Sequence, residues 1–228
     1  MGIIFPFDPV QRSKDVESLV MQGDARSYYR FRYAKFYGGI VTADAVGCNL
    51  LCAYCWNYNR NLYPAKAGAL YSPIEVAEKL QAISKKHHCD QFRVSGAEPI
   101  LGRASALHLA EVIRRVGGHF IVETNGIAIG YDLSIIDLLK PLNCHVRLTI
   151  KGDDPISFQK VTGALGEALK YQLQAARAFQ EANISLSMAV MSQFVDADKL
   201  PFQVDEKEDL IMYGSTERNM QKRGLLEI

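Results

Sequence analysis

Three cysteines within eight residues are the part of the sequence best suited to chemistry. Cys48, Cys52 and Cys55 have the spacing C-x3-C-x2-C in the segment GCNLLCAYCWN. Three thiolates in one loop can bind three irons of a cubane cluster and leave the fourth iron without a protein ligand, whereas an electron-transfer ferredoxin uses four cysteines. An open metal position is typical of a centre that binds a substrate or cofactor directly. The spacing therefore favours a reactive iron–sulfur site.

Two other interpretations of the cysteines stay open at this point. A structural zinc site needs a fourth ligand, and His87, His88 and Cys89 do not stand at the usual spacing from the trio. Three buried structural cysteines are the second alternative. The odd total of five cysteines, with Cys89 and Cys144 isolated, does not fit a disulfide framework.

The elements that must position this loop alternate between strand and helix. Short apolar runs predict six strands, at residues 39–44, 91–95, 120–123, 145–150, 184–191 and 210–213. Apolar residues at helical spacing predict helices between them. This alternation predicts an α/β fold of parallel strands. In such folds the chemistry lies at the carboxyl ends of the strands, where the cysteine loop also stands.

Several helices can be placed more closely. Residues 9–21 and 165–182 predict helices, and Ser72 followed by Pro73 and Glu75 is a helix start. A further helix ends at the glycine pair 117–118. Its buried face is predicted from the helical spacing of Leu107, Ala110, Ile113 and Val116.

Composition limits the classes of function. The chain has 228 residues and a formal net charge of +1, so it has no global electrostatic preference for nucleic acid or an anionic membrane. No apolar run approaches the roughly 18 residues of a membrane span. The N-terminal residues lack the basic region of a signal peptide. We therefore expect a cytoplasmic protein without a membrane partner.

Two segments outside the alternating core invite a functional interpretation. Residues 26–37, RSYYRFRYAKFY, interleave basic and aromatic residues, which suits either a half-buried edge strand or a surface for single-stranded nucleic acid. An edge strand would alternate between an inner face, with Tyr29, Phe31 and Tyr33, and an outer face, with Tyr28, Arg30 and Arg32. Residues 192–208 predict an irregular connection. Acidic residues at its end, Asp205, Glu206, Glu208 and Asp209, predict a solvated turn. We expect the N-terminal 37 residues and the segment from Ser192 to Asp209 to border the substrate entrance.

Four short segments accompany the cysteines in a fixed order. They are SGAEP at 95–99, ETNG at 123–126, TIKG at 149–152 and VTG at 161–163. With C-x3-C-x2-C and the aromatic Tyr54, they resemble the radical S-adenosylmethionine (SAM) superfamily over roughly residues 36–190. SGAEP is similar to the GGE segment of that superfamily, and ETNG and TIKG are similar to segments of its glycyl-radical-enzyme activases. The resemblance implies an incomplete (β/α)6 partial TIM barrel over residues 38–228, with residues 1–37 as an N-terminal extension packed on it.

The resemblance also implies a site. Cys48, Cys52 and Cys55 would bind one [4Fe–4S] cluster, whose unique iron holds SAM for reductive cleavage to a 5′-deoxyadenosyl radical that abstracts hydrogen from the substrate. The implied SAM contacts are the backbone of Gly96 and Ala97 with Glu98 nearby, Thr124, Lys151 on the methionine carboxylate, Ser187 on the ribose or carboxylate, and Tyr54 and Trp56 at the adenine.

Three positions depart from the family's pattern. Ala97 replaces the second glycine of GGE, and its backbone contacts survive if φ is negative. Glu123 replaces an aspartate. Thr149 replaces an acidic residue that, in the activases, helps to bind a monovalent cation beside SAM, so the likeness to the activases is weaker there.

The partners follow from the same resemblance. No second cluster is visible in the sequence, so a low-potential flavodoxin or ferredoxin is the implied electron donor, in an anaerobic setting. We expect an activase-like radical SAM enzyme, whose substrate is a protein or peptide glycine, an RNA or a small molecule. One alternative is an RNA-modifying radical SAM enzyme. Another is a non-catalytic iron–sulfur or zinc-binding module in an electron-transfer complex, although such a carrier has no use for a SAM cradle.

Overall fold

The computed structural model describes residues 3–226, apart from the side chains of residues 214 and 215. In this range the strands are β1 (Met21–Gln22), β2 (Ala25–Ala34), β3 (Ile40–Ala45), β4 (Ala69–Tyr71), β5 (Gln91–Ser95), β6 (His119–Thr124), β7 (Cys144–Ile150), β8 (Leu186–Met191) and β9 (Glu206–Glu208). The α-helices are α1 (Pro9–Val20), α2 (Tyr58–Leu62), α3 (Pro73–His87), α4 (Arg103–Val116), α5 (Ile127–Tyr131), α6 (Ile136–Leu139), α7 (Pro155–Thr162), α8 (Leu169–Glu181) and α9 (Gly214–Lys222).

The described strands form one sheet in the order β1-β2-β3-β5-β6-β7-β8-β9, with β4 beside β2. The six strands from β3 onward in this order are parallel and follow the chain order, whereas β2 is antiparallel to β3. Within residues 3–226 the two ends of the sheet do not pair, so it is open. The predicted α/β fold, six parallel strands in an incomplete barrel, is confirmed.

The two faces of this sheet differ in chemistry. One face is apolar and contributes Phe92, Val94, Val122, Val146 and Leu148 to the main hydrophobic core. Most of the alternate residues on the same strands are polar or charged. They include Arg93, Glu123, Arg147 and Thr149, and they line a cavity. Because side chains alternate along a strand, each strand packs the helices with one set and presents polar groups with the other.

The sixth parallel strand lies earlier in the chain than predicted. The prediction placed it at residues 210–213, but Glu206–Glu208 pairs with Ala189–Met191, and residues 210–213 have no regular structure. The predicted solvated turn is also wrong at Glu206 and Glu208, because both pair with Arg147. The sequence Glu-Lys-Glu shows no alternation of apolar and polar residues, which is the usual signal of a strand. Its two glutamates pair with Arg147 and do not pack in the hydrophobic core.

The helix starts and stops are mostly as predicted. Ser72 and Glu75 form a capping box on α3, with Ser72 N donating to Glu75 Oε2 at 2.8 Å. α4 ends at Gly117, whose φ of 76° is left-handed. The predicted buried face of α4 is wrong at Leu107, which is 48 % exposed, while the neighbouring His108 is buried. No helix in the described part of the chain combines the length and hydropathy that crossing a membrane requires.

A β-bulge in β2 decides which residues of the aromatic-basic segment face the cavity. The register shifts between Tyr28, which pairs with Ala45, and Arg30, which pairs with Asp44. The extra residue turns Tyr28 into the core, where it packs on Phe31 with ring centroids 5.7 Å apart. The strict alternation predicted for this strand is therefore wrong at Tyr28. The face predicted to point outward, with Arg30 and Arg32, lines the cavity instead.

Helix α1 packs on the cysteine loop. Val16 and Val20 belong to a small apolar cluster with Val46 and Leu101. The guanidinium of Arg12 donates to the Cys48 carbonyl at 3.2 Å and to the Asn61 carbonyl at 2.6 Å. The N-terminal residues therefore fix the backbone on which the first cysteine stands.

Candidate active site

The three cysteines of the loop line one cavity of about 550 Å³ at the carboxyl ends of the parallel strands. Their thiols are free, and Cys52 is the most buried of the three. Cavities of this size commonly hold small ligands or cofactors. Within residues 3–226, no three His, Cys, Asp or Glu side chains converge on a point that would hold a single metal ion. A cubane cluster does not require the side chains to converge on one point, because each cysteine binds a different iron.

The surroundings of the thiols suit a metal cluster. Burial raises the pKa of all three thiols above the usual range, to about 11 for Cys55, so they become thiolates only beside a compensating positive charge such as iron. Cys48 Sγ accepts a hydrogen bond from Leu50 N at 3.4 Å, and Cys55 Sγ accepts one from Asn61 Nδ2 at 3.8 Å. Hydrogen bonds to ligand sulfur are among the groups that tune the potential of an iron–sulfur cluster.

The SGAEP segment is fastened to the cysteine loop at Gly96. Its carbonyl accepts hydrogen bonds from Asn57 Nδ2 at 2.5 Å and from Asn61 Nδ2 at 3.1 Å. Gly96 has a φ of 79°, and an added Cβ would lie 3.1 Å from the Tyr29 hydroxyl, so glycine is required here. Ala97 does not have a positive φ, so alanine can replace the second glycine of GGE without loss of the backbone contacts. Oδ1 of Asn61 is buried, and no described residue donates to it.

Glu98 joins the ends of β5 and β6. Its Oε1 accepts from the Thr124 hydroxyl at 2.6 Å and from Ile100 N at 3.1 Å, and its Oε2 accepts from Asn125 N at 2.8 Å. Burial raises the pKa of this carboxyl to about 7, although the three hydrogen bonds act in the opposite direction. Thr124 and Glu98 line the cavity and also bind each other, so they fix the cavity wall.

Lys151 is fixed from behind by a buried glutamine. Gln172 of α8 accepts from Lys151 N at 2.9 Å and donates to the carbonyls of Asn125 at 2.5 Å and Thr149 at 3.0 Å. The Lys151 ammonium lies 5.4 Å from the centroid of the Tyr54 ring. Burial lowers its pKa, but Tyr54, Cys52 and Glu208 outweigh that effect and raise the pKa above its usual value. Lys151 therefore offers a positive charge to the cavity.

Ion pairs occupy much of the polar face of the sheet. They join Arg32 to Asp44 at 2.7 and 3.1 Å, Arg93 to Glu123 at 2.7 Å, and Arg147 to Glu206 at 2.7 Å and to Glu208 at 2.9 Å. Tyr37 also donates to the Glu123 carboxylate at 2.7 Å. A cavity lined by fixed charges in this way favours a polar ligand.

Most residues predicted for the site are brought together. The cavity is lined by Cys48, Cys52, Cys55, Tyr54, Trp56, Gly96, Ala97, Glu98, Thr124 and Lys151. Ser187 is not among the lining residues, which differs from the expectation of a SAM contact. Its hydroxyl donates to Glu206 Oε1 at 3.0 Å and lies 2.9 Å from His145 Nε2, near the start of β8.

Four residues that hold the cavity together were not predicted from the sequence. Gln172 is fully buried on α8, a helix predicted from its apolar face. A glutamine within such a face is the signal that could have found it, because a buried amide needs hydrogen-bond partners. Asn57 and Asn61 follow the third cysteine closely, but their contacts with Gly96 depend on tertiary structure. Asp44, with no exposed surface, stands at the end of the first parallel strand, where a carboxylate is itself a functional signal.

Comparison with known proteins agrees with this geometry. The family model described as the Radical SAM superfamily matches residues 44–198. Because the match covers more than half of the chain, the chain belongs to the radical SAM superfamily, whose members are enzymes. No curated protein sequence matches the chain.

Solved structures resemble parts of the chain. The structure named "Native anSMEcpe with bound AdoMet" is 21% identical over 64% of this chain and 41% of its own, with a TM-score of 0.47. The structure named "Native anSMEcpe with bound AdoMet and Cp18Cys peptide" is 17% identical over 67% of this chain and 42% of its own, with a TM-score of 0.48. The matches thus span about two fifths of the length of these proteins.

Proposed function

We propose that this chain binds one [4Fe–4S] cluster through Cys48, Cys52 and Cys55 and cleaves SAM reductively in the adjoining cavity. The observation that carries this proposal is the common cavity, which the three thiols line together with residues of SGAEP, ETNG and TIKG. When bound, the cluster and SAM supply a 5′-deoxyadenosyl radical, which takes a hydrogen atom from the substrate.

The chain's own groups would bind and orient these cofactors. The three thiolates hold the cluster, while Asn61 and the backbone of Leu50 direct N–H groups at the ligand sulfurs. Lys151 pairs with the methionine carboxylate, because its ammonium lines the cavity and keeps its charge. Gly96 and Ala97 also line this cavity, and their backbone groups would contact the methionine portion of SAM.

The remaining predicted contacts divide into two kinds. Tyr54 and Trp56 offer ring faces for the adenine, and Tyr54 is held by a parallel stack on Phe194 with centroids 5.5 Å apart. Glu98 and Thr124 act through the hydrogen bonds that join the ends of β5 and β6. Ser187 has no place in the proposed site, because its hydroxyl is committed to His145 and Glu206.

The activase-like assignment is the finer part of this proposal. In its favour, ETNG and TIKG end adjacent parallel strands that line the cavity. Two positions speak against it, because the activases use acidic residues there to bind a monovalent cation. Here Glu123 already pairs with Arg93 at 2.7 Å, and Thr149 carries no charge. Hydrogen abstraction from a protein or peptide glycine is the activity to test under this assignment.

An external low-potential flavodoxin or ferredoxin is the electron donor in this proposal. Cys89 lies between α3 and β5, with its thiol on the Gly39 carbonyl, and Cys144 begins β7, so neither extends the cluster site. Three cations, Lys160, Lys222 and Arg223, line a second cavity next to the loop. This charged face suits a donor protein of negative charge, because complementary charge steers association.

Anaerobic turnover tests the proposal. Reconstituted protein, a chemical reductant and SAM should give 5′-deoxyadenosine and methionine, quantified by chromatography with mass detection. Cys52→Ala should give neither product, whereas Cys89→Ala should match the wild type because the Cys89 thiol donates to the carbonyls of Gly39 and Gln91, away from the cysteine loop. Equal product from the wild type and Cys52→Ala would refute the proposed cluster site.

A further inference from the structure

We propose that Arg30 and Arg32, both held by Asp44, form a binding site for an anionic group of the substrate, a carboxylate or a phosphate carried on a small molecule. The inference rests on the proposed function in one respect, since that function makes the surrounding cavity the place of catalysis. The site itself stands on geometry and charge.

The arginines reach the cavity because of the bulge in β2. After the register shift, Arg30 lies opposite Asp44 and Arg32 opposite Thr42, on the polar face of the sheet. Asp44 has no exposed surface, and the side chains of Arg30 and Arg32 are 47% and 24% exposed. The carboxylate therefore acts as a buried anchor for two guanidinium groups that open into the cavity.

Arg30 and Arg32 together have more N–H donors and more positive charge than the Asp44 carboxylate can pair. Arg30 donates to Asp44 through Nε alone, at 2.6 Å, while Arg32 donates through Nε and Nη2. Among residues 3–226, no acceptor is bonded to Nη1 or Nη2 of Arg30 or to Nη1 of Arg32, so these N–H groups can serve a ligand. Two guanidinium groups on one carboxylate also leave one positive charge unbalanced. Guanidinium forks match the oxygens of a carboxylate or phosphate, so this arrangement suits a single oxyanion.

The opposite side of the cavity limits how much negative charge that ligand can carry. There Arg147 faces two carboxylates, Glu206 and Glu208, and Asp209 also lines the cavity. β9 carries Glu206 and Glu208, and Asp209 directly follows it, at one end of the parallel set, whereas β2 flanks the other end. A polyanion would meet this acidic wall, and nucleic-acid binding usually depends on several phosphate contacts. A small substrate with one anionic group avoids that repulsion.

The site lies next to the cysteine loop. The Arg30 guanidinium carbon is 6.0 Å from the centroid of the Trp56 ring, and Trp56 directly follows Cys55. Trp56 is also the single tryptophan of the chain and is 39% exposed. An anion on Arg30 is thus held at the wall of the proposed catalytic cavity, within reach of an intrinsic fluorescent reporter.

Binding of simple anions tests the site. Inorganic phosphate and acetate are titrated separately into reconstituted protein of known iron content, at constant ionic strength set with chloride. Calorimetry gives the affinity, and Trp56 emission reports whether the anion binds near the ring. We expect saturable binding of at least one anion, and the stronger of the two indicates whether the substrate carries a phosphate or a carboxylate.

Variants separate the site from general charge effects. Arg30→Gln leaves the two-point pair of Arg32 with Asp44 intact, so it should fold, and it should weaken binding by about tenfold as a charge-assisted contact is lost. Arg32→Lys keeps the charge but loses the fork, and should weaken binding as well. Lys79→Gln is the matched control. It removes a cation that lies 5.7 Å from the Phe31 ring, on the other face of β2, and should leave affinity unchanged.

Four results would overturn the inference. One is the absence of saturable binding of both anions by the wild type, and another is equal affinity in Arg30→Gln. The third is competition by SAM, which would assign the arginines to the cofactor. Tight binding of a single-stranded oligoribonucleotide with steep salt dependence would instead assign them to nucleic acid and equally overturn the proposal. Anion binding without 5′-deoxyadenosine formation would refute the proposed function and leave this site standing.

Discussion

At the scale of single residues, the cysteines carry the cluster assignment. Each of Cys48, Cys52 and Cys55 supplies one thiolate, so replacing any one with alanine should lower iron content well below the about four irons per chain expected of an intact cluster. Cys144→Ala should keep full iron content, because Cys144 is buried at the start of β7 and belongs to the core. Iron and sulfide analysis after anaerobic reconstitution makes the comparison. Full loading of Cys52→Ala would exclude Cys52 as a ligand.

Lys151 carries the charge assigned to SAM binding. Lys151→Ala should retain the cluster and weaken SAM binding by about 1.5–3 kcal/mol, the usual range for a hydrogen bond to a charged group. Equilibrium binding of SAM to the reconstituted variant measures this loss. Lys170→Ala, an exposed position on α8, is the control and should bind SAM as the wild type does. An unchanged affinity in Lys151→Ala would remove Lys151 from the site.

At the scale of elements, Gln172 ties helix α8 to the ends of β6 and β7. Gln172→Leu removes three hydrogen bonds and leaves the carbonyls of Asn125 and Thr149 and the N–H of Lys151 without that partner. We expect the variant to lose about 1–3 kcal/mol of unfolding free energy and to bind SAM more weakly. Urea unfolding and SAM titration measure the two effects. Gln174→Leu, exposed on the same helix, should change neither, and a stable Gln172→Leu with normal SAM affinity would contradict the account.

A buried histidine makes the packing of α4 on β2 sensitive to acid. His108 contacts the Asp24 carbonyl through Nδ1 at 2.6 Å and the Tyr28 hydroxyl through Nε2 at 3.0 Å. Burial lowers the pKa of His108 to about 4, against about 6.5 for an unperturbed histidine. The unfolded chain therefore takes up this proton first as pH falls, and stability is lost between pH about 6.5 and about 4, by on the order of 3 kcal/mol.

Comparison with His108→Gln isolates that contribution from other groups. Glutamine supplies a donor and an acceptor but does not titrate, so the variant should lose less stability than the wild type between pH 7 and pH 5. The urea midpoint at each pH is the measurement. Parallel loss of stability in the two proteins would mean that His108 does not set the acid sensitivity.

The same elements show what the sequence could and could not predict. The strands with an apolar alternate face, such as β5 and β7, were placed within a residue, because packing against helices imposes that pattern. β9 was missed because its residues Glu206 and Glu208 form ion pairs with Arg147, which lies far away in the chain. The bulge in β2 was missed because nothing in RSYYRFRYA marks which residue is extra.

At the scale of the whole molecule, the open sheet brings separate segments to one cavity. The motif residues could be predicted because each follows a strand and parallel strands share their carboxyl ends. The contacts behind them, from Gln172 and from Arg12 of α1, could not, since they depend on how helices pack. The division into residues 1–37 and 38–228 stays a prediction, and β2 within the first part pairs with β3 in the second.

The central claim is that Cys48, Cys52 and Cys55 hold a cluster with one iron open to SAM. The most direct measurement is the electron paramagnetic resonance spectrum of the reduced, reconstituted protein with and without SAM. Binding at the open iron changes the ligand field of the cluster, so the account predicts that saturating SAM shifts the spectrum of the wild type. Spectra that coincide at saturating SAM, in protein with a full complement of iron, would contradict the claim.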